Sequence, residues 1–261
     1  EVWKEMAEMG WAGVLIPEEH GGAGFGFVGA GLLAAEIGRN LSATPFLSSA
    51  VLAATALLRG GTVEQKEILL PAIAGGDLLI AFASDECARH APYHIETRCT
   101  GKHKLNGRKL HVLDGHVADR LIVSARTSGE PGSRDGITLF LIDAQAEGVS
   151  ITRSSMVDSR NSAVMELRDV IVSEADVIGT FDKGAIVLDA VLDAGRAVLA
   201  AELLGLTEEA FERTLAYLRE REQFGVKIGS FQALQHRAAH LFCEIELVRS
   251  VVLRTLQALD A

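Results

Sequence analysis

The chemistry-bearing residues cluster in one stretch, Arg219 to His236, which reads Arg-Glu-Arg-Glu-Gln-Phe-Gly-Val-Lys-Ile-Gly-Ser-Phe-Gln-Ala-Leu-Gln-His. Gly225 and Gly229 interrupt two long helical patterns here and set the Arg221 guanidinium beside aromatic and amide side chains. A planar, permanently charged fork matches a phosphate or pyrophosphate in two-pronged geometry, so a nucleotide-like anion is the first physical reading. Alternating charges at a helix end equally suit a solvated terminus, and the residues alone leave both readings open.

Other chemistry is excluded more readily. Gly24-Phe-Gly-Phe-Val-Gly29 matches the dinucleotide pattern G-x-G-x-x-G, but that pattern needs a preceding strand and a later acidic residue, and Pro17-Glu18-Glu19-His20 intervenes instead. His236 and His240 have a zinc-like spacing, yet Arg237, Ala238 and Ala239 between them supply no Glu, and no metal site is expected. Neither a G-x-S-x-G elbow nor a Walker loop occurs.

The 261 residues suffice for one large or two to three small domains, and 48% hydrophobic residues supply a substantial core. A net charge of −10 argues against general nucleic-acid or anionic-membrane binding. Cys87, Cys99 and Cys243 are odd in number and lack a Cys-x-x-Cys pair, which points to a reducing, cytoplasmic setting. No apolar run has the length of a membrane span. Glu1 opens the chain inside a helical pattern without a methionine, so a piece of a longer product is expected.

The elements that must position these residues come as helices, strands, then helices. Apolar positions recur at helical spacing over Val2 to Gly10, Phe27 to Arg39, Leu47 to Leu58 and Val63 to Ile73, the last behind an N-cap at Thr62. Strands follow: a short apolar run at Leu78 to Ala83, then alternation from Ile95 to Val172, with Leu121, Val123 and Ala125 against Arg120, Ile122 and Ser124. Leu105-Asn106-Gly107-Arg108 predicts a type I′ hairpin in a β-domain of antiparallel character. Helical spacing returns from Ile186 to Leu218 and from Phe231 to Leu259, predicting two helices of roughly 25 to 35 residues, well beyond ordinary length. Two such helices need further helices or another subunit to cover them. The boundaries fall at 1–76 for an N-terminal helical domain, 77–181 for a middle β-domain and 182–261 for a C-terminal helical domain.

Read with this order, four stretches resemble the acyl-CoA dehydrogenase family. Met9-Gly-Trp-Ala-Gly-Val-Leu-Ile-Pro-Glu-Glu-His-Gly-Gly-Ala-Gly24 is similar to its Gly-Trp…Pro-Glu-Glu-x-Gly-Gly-x-Gly segment. Leu105-Asn-Gly-Arg-Lys109 matches its Leu-Asn-Gly-x-Lys, and Gly195-Arg196 falls where the family carries an Arg facing acyl-CoA. Arg221-Glu-Gln-Phe-Gly225 with Phe231-Gln232 matches its Arg-x-x-Phe-Gly…Phe-Gln signature. The resemblance implies an α+β chain in which a central antiparallel β-barrel or sandwich lies between an N-terminal helical domain and long C-terminal helices.

It also implies FAD and α,β-dehydrogenation of an acyl-CoA in fatty acid metabolism, with an electron-transfer flavoprotein or similar acceptor. Arg221 would take the FAD pyrophosphate, with Gln223, Phe224, Ile228, Phe231 and Gln232 beside it and Phe82, Ser84, His111 and Leu113 on the β-domain side. Asp193 and Arg196 would face the substrate, and a dimer or homotetramer would let Arg221 serve a neighbouring subunit's flavin. A carboxylate base must remove the α-proton beside the thioester while flavin takes the β-hydride.

The departures from the family pattern are specific. Ser84-Asp85-Glu86…Arg89-His90-Ala91 stands for its Thr-Glu-Pro…Gly-Ser-Asp, and His111-Val112-Leu113 for its Trp-x-Thr. Gly195 occupies the place where some members carry the base, so no catalytic residue is identifiable and the Glu is expected beyond Ala261. These departures motivate two alternatives: a catalytically degenerate partner subunit of a heteromeric dehydrogenase, or a flavin monooxygenase of the same fold.

Overall fold

The computed structural model describes residues 1–101, 103–158 and 160–261. Helices come first: α1 (Val2–Glu8), α2 (Gly26–Asn40), a π-helix (Phe46–Ala53) running into α3 (Ala54–Gly60), and α4 (Val63–Ala74). Thr62 caps α4 as its sequence predicts. The Gln65 amide N–H donates to Thr62 Oγ1 at 3.1 Å, and the Thr62 N–H donates to Gln65 Oε1 at 2.9 Å, satisfying two end donors reciprocally. The helix expected over Leu47 to Leu58 is regular from Ala54 onward and, as far as Ala53, a π-helix. Its wider turn accompanies buried Ser48 and Ser49, whose hydroxyls bond outside the helix, Ser48 to Asp114 at 2.6 Å and Ser49 as acceptor of the Ile80 N–H at 3.3 Å.

The strands are β1 (Ile80–Ala83), β2 (Arg98–Thr100), β3 (Lys104–Leu113), β4 (Arg120–Arg126), β5 (Ile137–Asp143), β6 (Val149–Ser155), β7 (Asn161–Ile171) and β8 (Val177–Ile178). They form one eight-stranded sheet in the order β6-β7-β3-β2-β4-β5-β8, with β1 pairing β4. The antiparallel expectation holds for β2–β3, β3–β7, β6–β7, β4–β5 and β5–β8, whereas β4 runs parallel to β1 and to β2. Residues 84–119 supply the long connection that a parallel β1–β4 pair requires.

Two sequence expectations in this sheet are corrected. Asn106-Gly107 does not turn the chain; it lies inside β3 at a register shift opposite β7. The Asn106 Nδ2 donates to Asp169 Oδ1 at 3.1 Å and the Asp169 N–H donates back to Asn106 Oδ1 at 2.9 Å, so a side-chain amide replaces the ladder bonds that the bulge breaks. A Cβ on Gly107 would lie 2.6 Å from Thr97 Cα, so glycine is needed here for close backbone approach. In β4, Ile122 and Ser124 are as buried as Leu121 and Val123, because the strand carries core on both faces.

The chain divides into two compact units. Unit 1 comprises residues 1–25 and 44–195. One of its cores joins Leu57, Leu70 and Ile73 to Ile80, Ile122, Leu139 and Leu188; another joins Leu121, Val123, Phe140, Ile142 and Met165. Unit 2 comprises residues 26–43 and 196–261. It holds α2, the part of α5 (Ala185–Glu220) from Arg196 onward, a ribbon of β9 (Glu222–Gln223) and β10 (Val226–Lys227), and α6 (Gln232–Asp260). The two predicted long helices are 36 and 29 residues. Within unit 2, α2 and α5 approach so closely that a Cβ on Gly205 would lie 1.9 Å from the Ala35 carbonyl oxygen and one on Gly38 2.0 Å from that of Glu202. The Asp260 carboxylate accepts the Phe27 and Val28 N–H groups at 2.6 and 3.0 Å, capping the start of α2.

Candidate functional site

The residues predicted to bind a cofactor fall into two groups, one in each unit. In unit 2, Arg221, Gln223, Phe224, Ile228, Phe231 and Gln232 are gathered on the α5–α6 connection. Gln223 pairs with Val226 around a two-residue loop, Phe224-Gly225, whose φ angles are 56° and 77°. Two successive positive φ values define the primed hairpin turn that the sequence suggested at Asn106-Gly107. Gly225 adopts this conformation freely, whereas a bulky Phe224 rarely does, and Phe224 is 94% exposed.

The ribbon is fixed by its own polar groups. The Ile228 N–H donates to the Arg221 carbonyl at 2.9 Å, and Lys227 pairs with Glu222 at 2.7 Å and donates to the Glu220 carbonyl at 3.0 Å. Gln235 Nε2 donates to the Gly229 carbonyl at 2.9 Å. Phe224 meets Phe231 edge to face at 6.3 Å. Arg221, Gln223, Phe231 and Gln232 are exposed and Ile228 is half-buried. The connection carries an Arg fork and the Gln232 amide, which suit a diphosphate, and the Phe224–Phe231 pair, which suits a flat ring, so the residues present suit FAD; the Gln223 amide donates to the Glu222 carbonyl at 2.7 Å.

In unit 1, Phe82 and Ser84 are buried at the end of β1, while His111 is exposed at φ 52° and Leu113 is half-buried on β3. A register shift between Lys109 and Val112 separates His111 from the regular ladder. Asp193 and Arg196 are both exposed on α5, Asp193 in unit 1 and Arg196 in unit 2. At Gly195 a Cβ would lie 2.6 Å from Leu52 Cδ2, the end of a side chain on the π-helix that would have to turn aside. Asp189 is engaged by the Tyr93 hydroxyl at 2.6 Å and by Arg134.

The sequence reading assigned no role to Lys109, Glu86 or Asp114. Lys109 is completely buried, and its ammonium donates to Glu86 Oε1 at 2.6 Å, Ser124 Oγ at 2.9 Å and the Ser84 carbonyl at 3.3 Å. One signal was available: Lys109 is in phase with Leu105 along β3, which aims a charge inward. Asp114, at φ 54°, accepts the Ser48 hydroxyl at 2.6 Å, and burial pushes its carboxyl above the ordinary carboxylate value.

The pair has opposed titration behaviour. Burial alone would raise the Glu86 carboxyl, but the Lys109 ammonium and the Thr97 and Glu96 amides hold it below its ordinary 4.5. Its contribution to stability is therefore complete above that value and lost as pH falls through the lower folded value. Burial pushes the Lys109 ammonium down to about 8 from 10.5, so stability from this group grows as pH rises between those values. We expect Glu86→Gln to flatten the fall in urea-unfolding free energy as pH drops below 4.5, relative to the unmodified protein. An acid limb of unchanged slope would contradict this assignment.

A helical N-terminal segment, a central sheet and long C-terminal helices bearing an Arg-x-x-Phe-Gly ribbon define a flavoprotein dehydrogenase fold. Residues 1–77 match the acyl-CoA dehydrogenase N-terminal domain and residues 182–261 match the acyl-CoA dehydrogenase C-terminal domain. The chain is 33% identical to mitochondrial isovaleryl-CoA dehydrogenase of Pongo abelii, covering all of this chain and 64% of that protein. It is 32% identical to the probable acyl-CoA dehydrogenase YngJ of Bacillus subtilis, covering 97% of this chain and 69% of that one. Among solved structures, the ChsE4-ChsE5 complex from Mycobacterium tuberculosis superposes with TM-score 0.82 at 30% identity, covering 99% of this chain and 67% of that chain. The chain belongs to the acyl-CoA dehydrogenase family. It spans about two-thirds of the length of these relatives. Among the described residues no helix is long and apolar enough to cross a membrane.

Proposed function

We propose that this protein carries FAD and takes part in α,β-dehydrogenation of an acyl-CoA thioester. The observation that carries this reading is the preformed Arg221–Gln232 ribbon, with an exposed Arg221 and, three residues on, Phe224 held exposed at positive φ. Bound FAD supplies a hydride acceptor. Arg221, Gln223 and Gln232 would hold its diphosphate, with Phe224, Ile228 and Phe231 as the apolar flank. Phe82, Ser84, His111 and Leu113 would border the flavin from the β-domain. Asp193 and Arg196 would orient the CoA ester through charge and hydrogen bonding. No residue described here is assigned as the base, because Asp189 is already engaged by Tyr93 and Arg134 and Gly195 has no side chain. A homo-oligomer in which the Arg221 ribbon serves a neighbouring subunit, and reoxidation by an electron-transfer flavoprotein or similar acceptor, complete the reading.

A second reading, a degenerate partner subunit in a heteromeric dehydrogenase, is favoured by one specific feature: Gly195 offers no side chain, and Leu52 Cδ2 leans to within 2.6 Å of where its Cβ would stand. The likeness to a protein solved as the ChsE4-ChsE5 complex supports the same reading. Titration of the purified protein with FAD, followed by flavin fluorescence, separates the two. One flavin per chain in the homomer supports the dehydrogenase; absence of uptake until a partner chain is added supports the second reading.

A further inference from the structure

We propose that Lys109 is a positioning residue whose buried ammonium staples the Ser84–Glu86 segment to β3 and β4, fixing the edge that meets the flavin. This inference rests on the flavin reading above. Beyond Ala83 the chain leaves β1 and carries neither helix nor strand until Arg98. A segment without a ladder must bond its polar groups elsewhere, and here it bonds them to one cation and one carboxylate. The Lys109 ammonium takes the Ser84 carbonyl and the Glu86 carboxylate from the segment and the Ser124 hydroxyl from β4. Glu86 in turn accepts the Glu96 and Thr97 N–H groups at 2.6 and 3.1 Å, which ties the segment's far end to its start. The Leu110 N–H donates to the Asp85 carbonyl at 2.7 Å, so Asp85 is joined directly to β3.

Burying a charge for stability alone is a poor solution, since an apolar pair of similar volume often does as well or better. A cation on β3 with two acceptors on the Ser84–Glu86 segment and a third on β4 instead specifies geometry. Lys109 also immediately precedes the irregularity at which His111 takes φ 52°. The staple therefore sets both borders at once: Ser84 on one side, His111 and Leu113 on the other.

The test combines hydrogen exchange at the Leu110 amide with FAD titration. In Lys109→Met, Leu110 exchange accelerates about tenfold or more and FAD affinity falls about tenfold, while Val123 and Phe140 in the β4–β5 ladder keep their protection. The double variant Lys109→Met with Glu86→Gln leaves no unpaired buried charge and keeps an acceptor for the Glu96 and Thr97 N–H groups; it regains the melting temperature but neither Leu110 protection nor FAD affinity. Ser124→Ala, which removes one acceptor, shifts both readouts in the same direction by less, and keeps the test informative if Lys109→Met does not fold. Unchanged Leu110 protection across these variants overturns the staple. A double variant with lost Leu110 protection and full FAD affinity overturns its link to the flavin. If the unmodified protein takes up no FAD, the flavin reading fails, and with it the link, while Leu110 exchange still decides the staple.

Discussion

Replacing Arg221 by Ala is expected to weaken FAD binding by roughly 10- to 100-fold while leaving the melting temperature unchanged. The magnitude follows from a charged hydrogen-bond donor, which contributes about 1.5–3 kcal/mol, with about 1.4 kcal/mol per factor of ten. Stability is spared because the side chain is exposed and the ribbon is held by backbone and neighbouring groups, Ile228 to the Arg221 carbonyl and Lys227 to Glu222. Arg221→Lys keeps the charge and loses the two-pronged geometry, so it should fall between the two. Arg219→Ala is the control: it sits in the last turn of α5 with the same charge and outside the Arg-x-x-Phe-Gly motif. FAD titration of the three variants provides the measurement. Equal losses for Arg219→Ala and Arg221→Ala would mean that only overall charge matters and that the ribbon has no dedicated anion site.

The second large effect concerns stability. Gly205→Val should lower the unfolding free energy by about 3 kcal/mol or more, read from the urea midpoint. A Cβ at Gly205 meets the Ala35 carbonyl oxygen at 1.9 Å, and that oxygen is backbone of α2, which no rotamer change can move aside. Gly38 makes the reciprocal approach toward Glu202, so both helices would have to separate. Separation would also strain the ion pairs of Arg39 with Glu209 and Glu212. Leu203→Val, two residues away on α5 and more than half exposed, should cost only its helix propensity, about 0.5 kcal/mol. Similar losses for the two variants would show that the close approach is not a stabilising contact.

These predictions draw on features of unequal legibility in the sequence. The long helices, the Thr62 cap and the Arg-x-x-Phe-Gly motif are local in sequence, since each is a repeat or a short spacing, and each appears where expected. The two Xaa-Gly dipeptides were not separable in that way. Asn106-Gly107 has the better local turn chemistry, yet β3 continues through it because Thr97 and Asp169, remote in sequence, occupy both sides. Phe224-Gly225 has poorer turn chemistry, yet it turns because two long helices must be joined within a short ribbon. The π-helix depends on where Ser48 and Ser49 find partners, Asp114 and Ile80, which no periodicity reveals. The Lys109–Glu86 pair is non-local in the same way: alternation aimed the lysine inward, but its acceptors come from the segment after β1 and from β4.

The proposed activity is tested most directly by adding acyl-CoA thioesters anaerobically to the FAD-loaded protein while following the visible absorbance of oxidised flavin and assaying for the 2-enoyl-CoA. Bleaching of the flavin is expected, with one enoyl-CoA formed per flavin reduced. Stable oxidised flavin with straight-chain, branched and steroid-like acyl-CoAs alike, in a protein holding one FAD per chain, would contradict it.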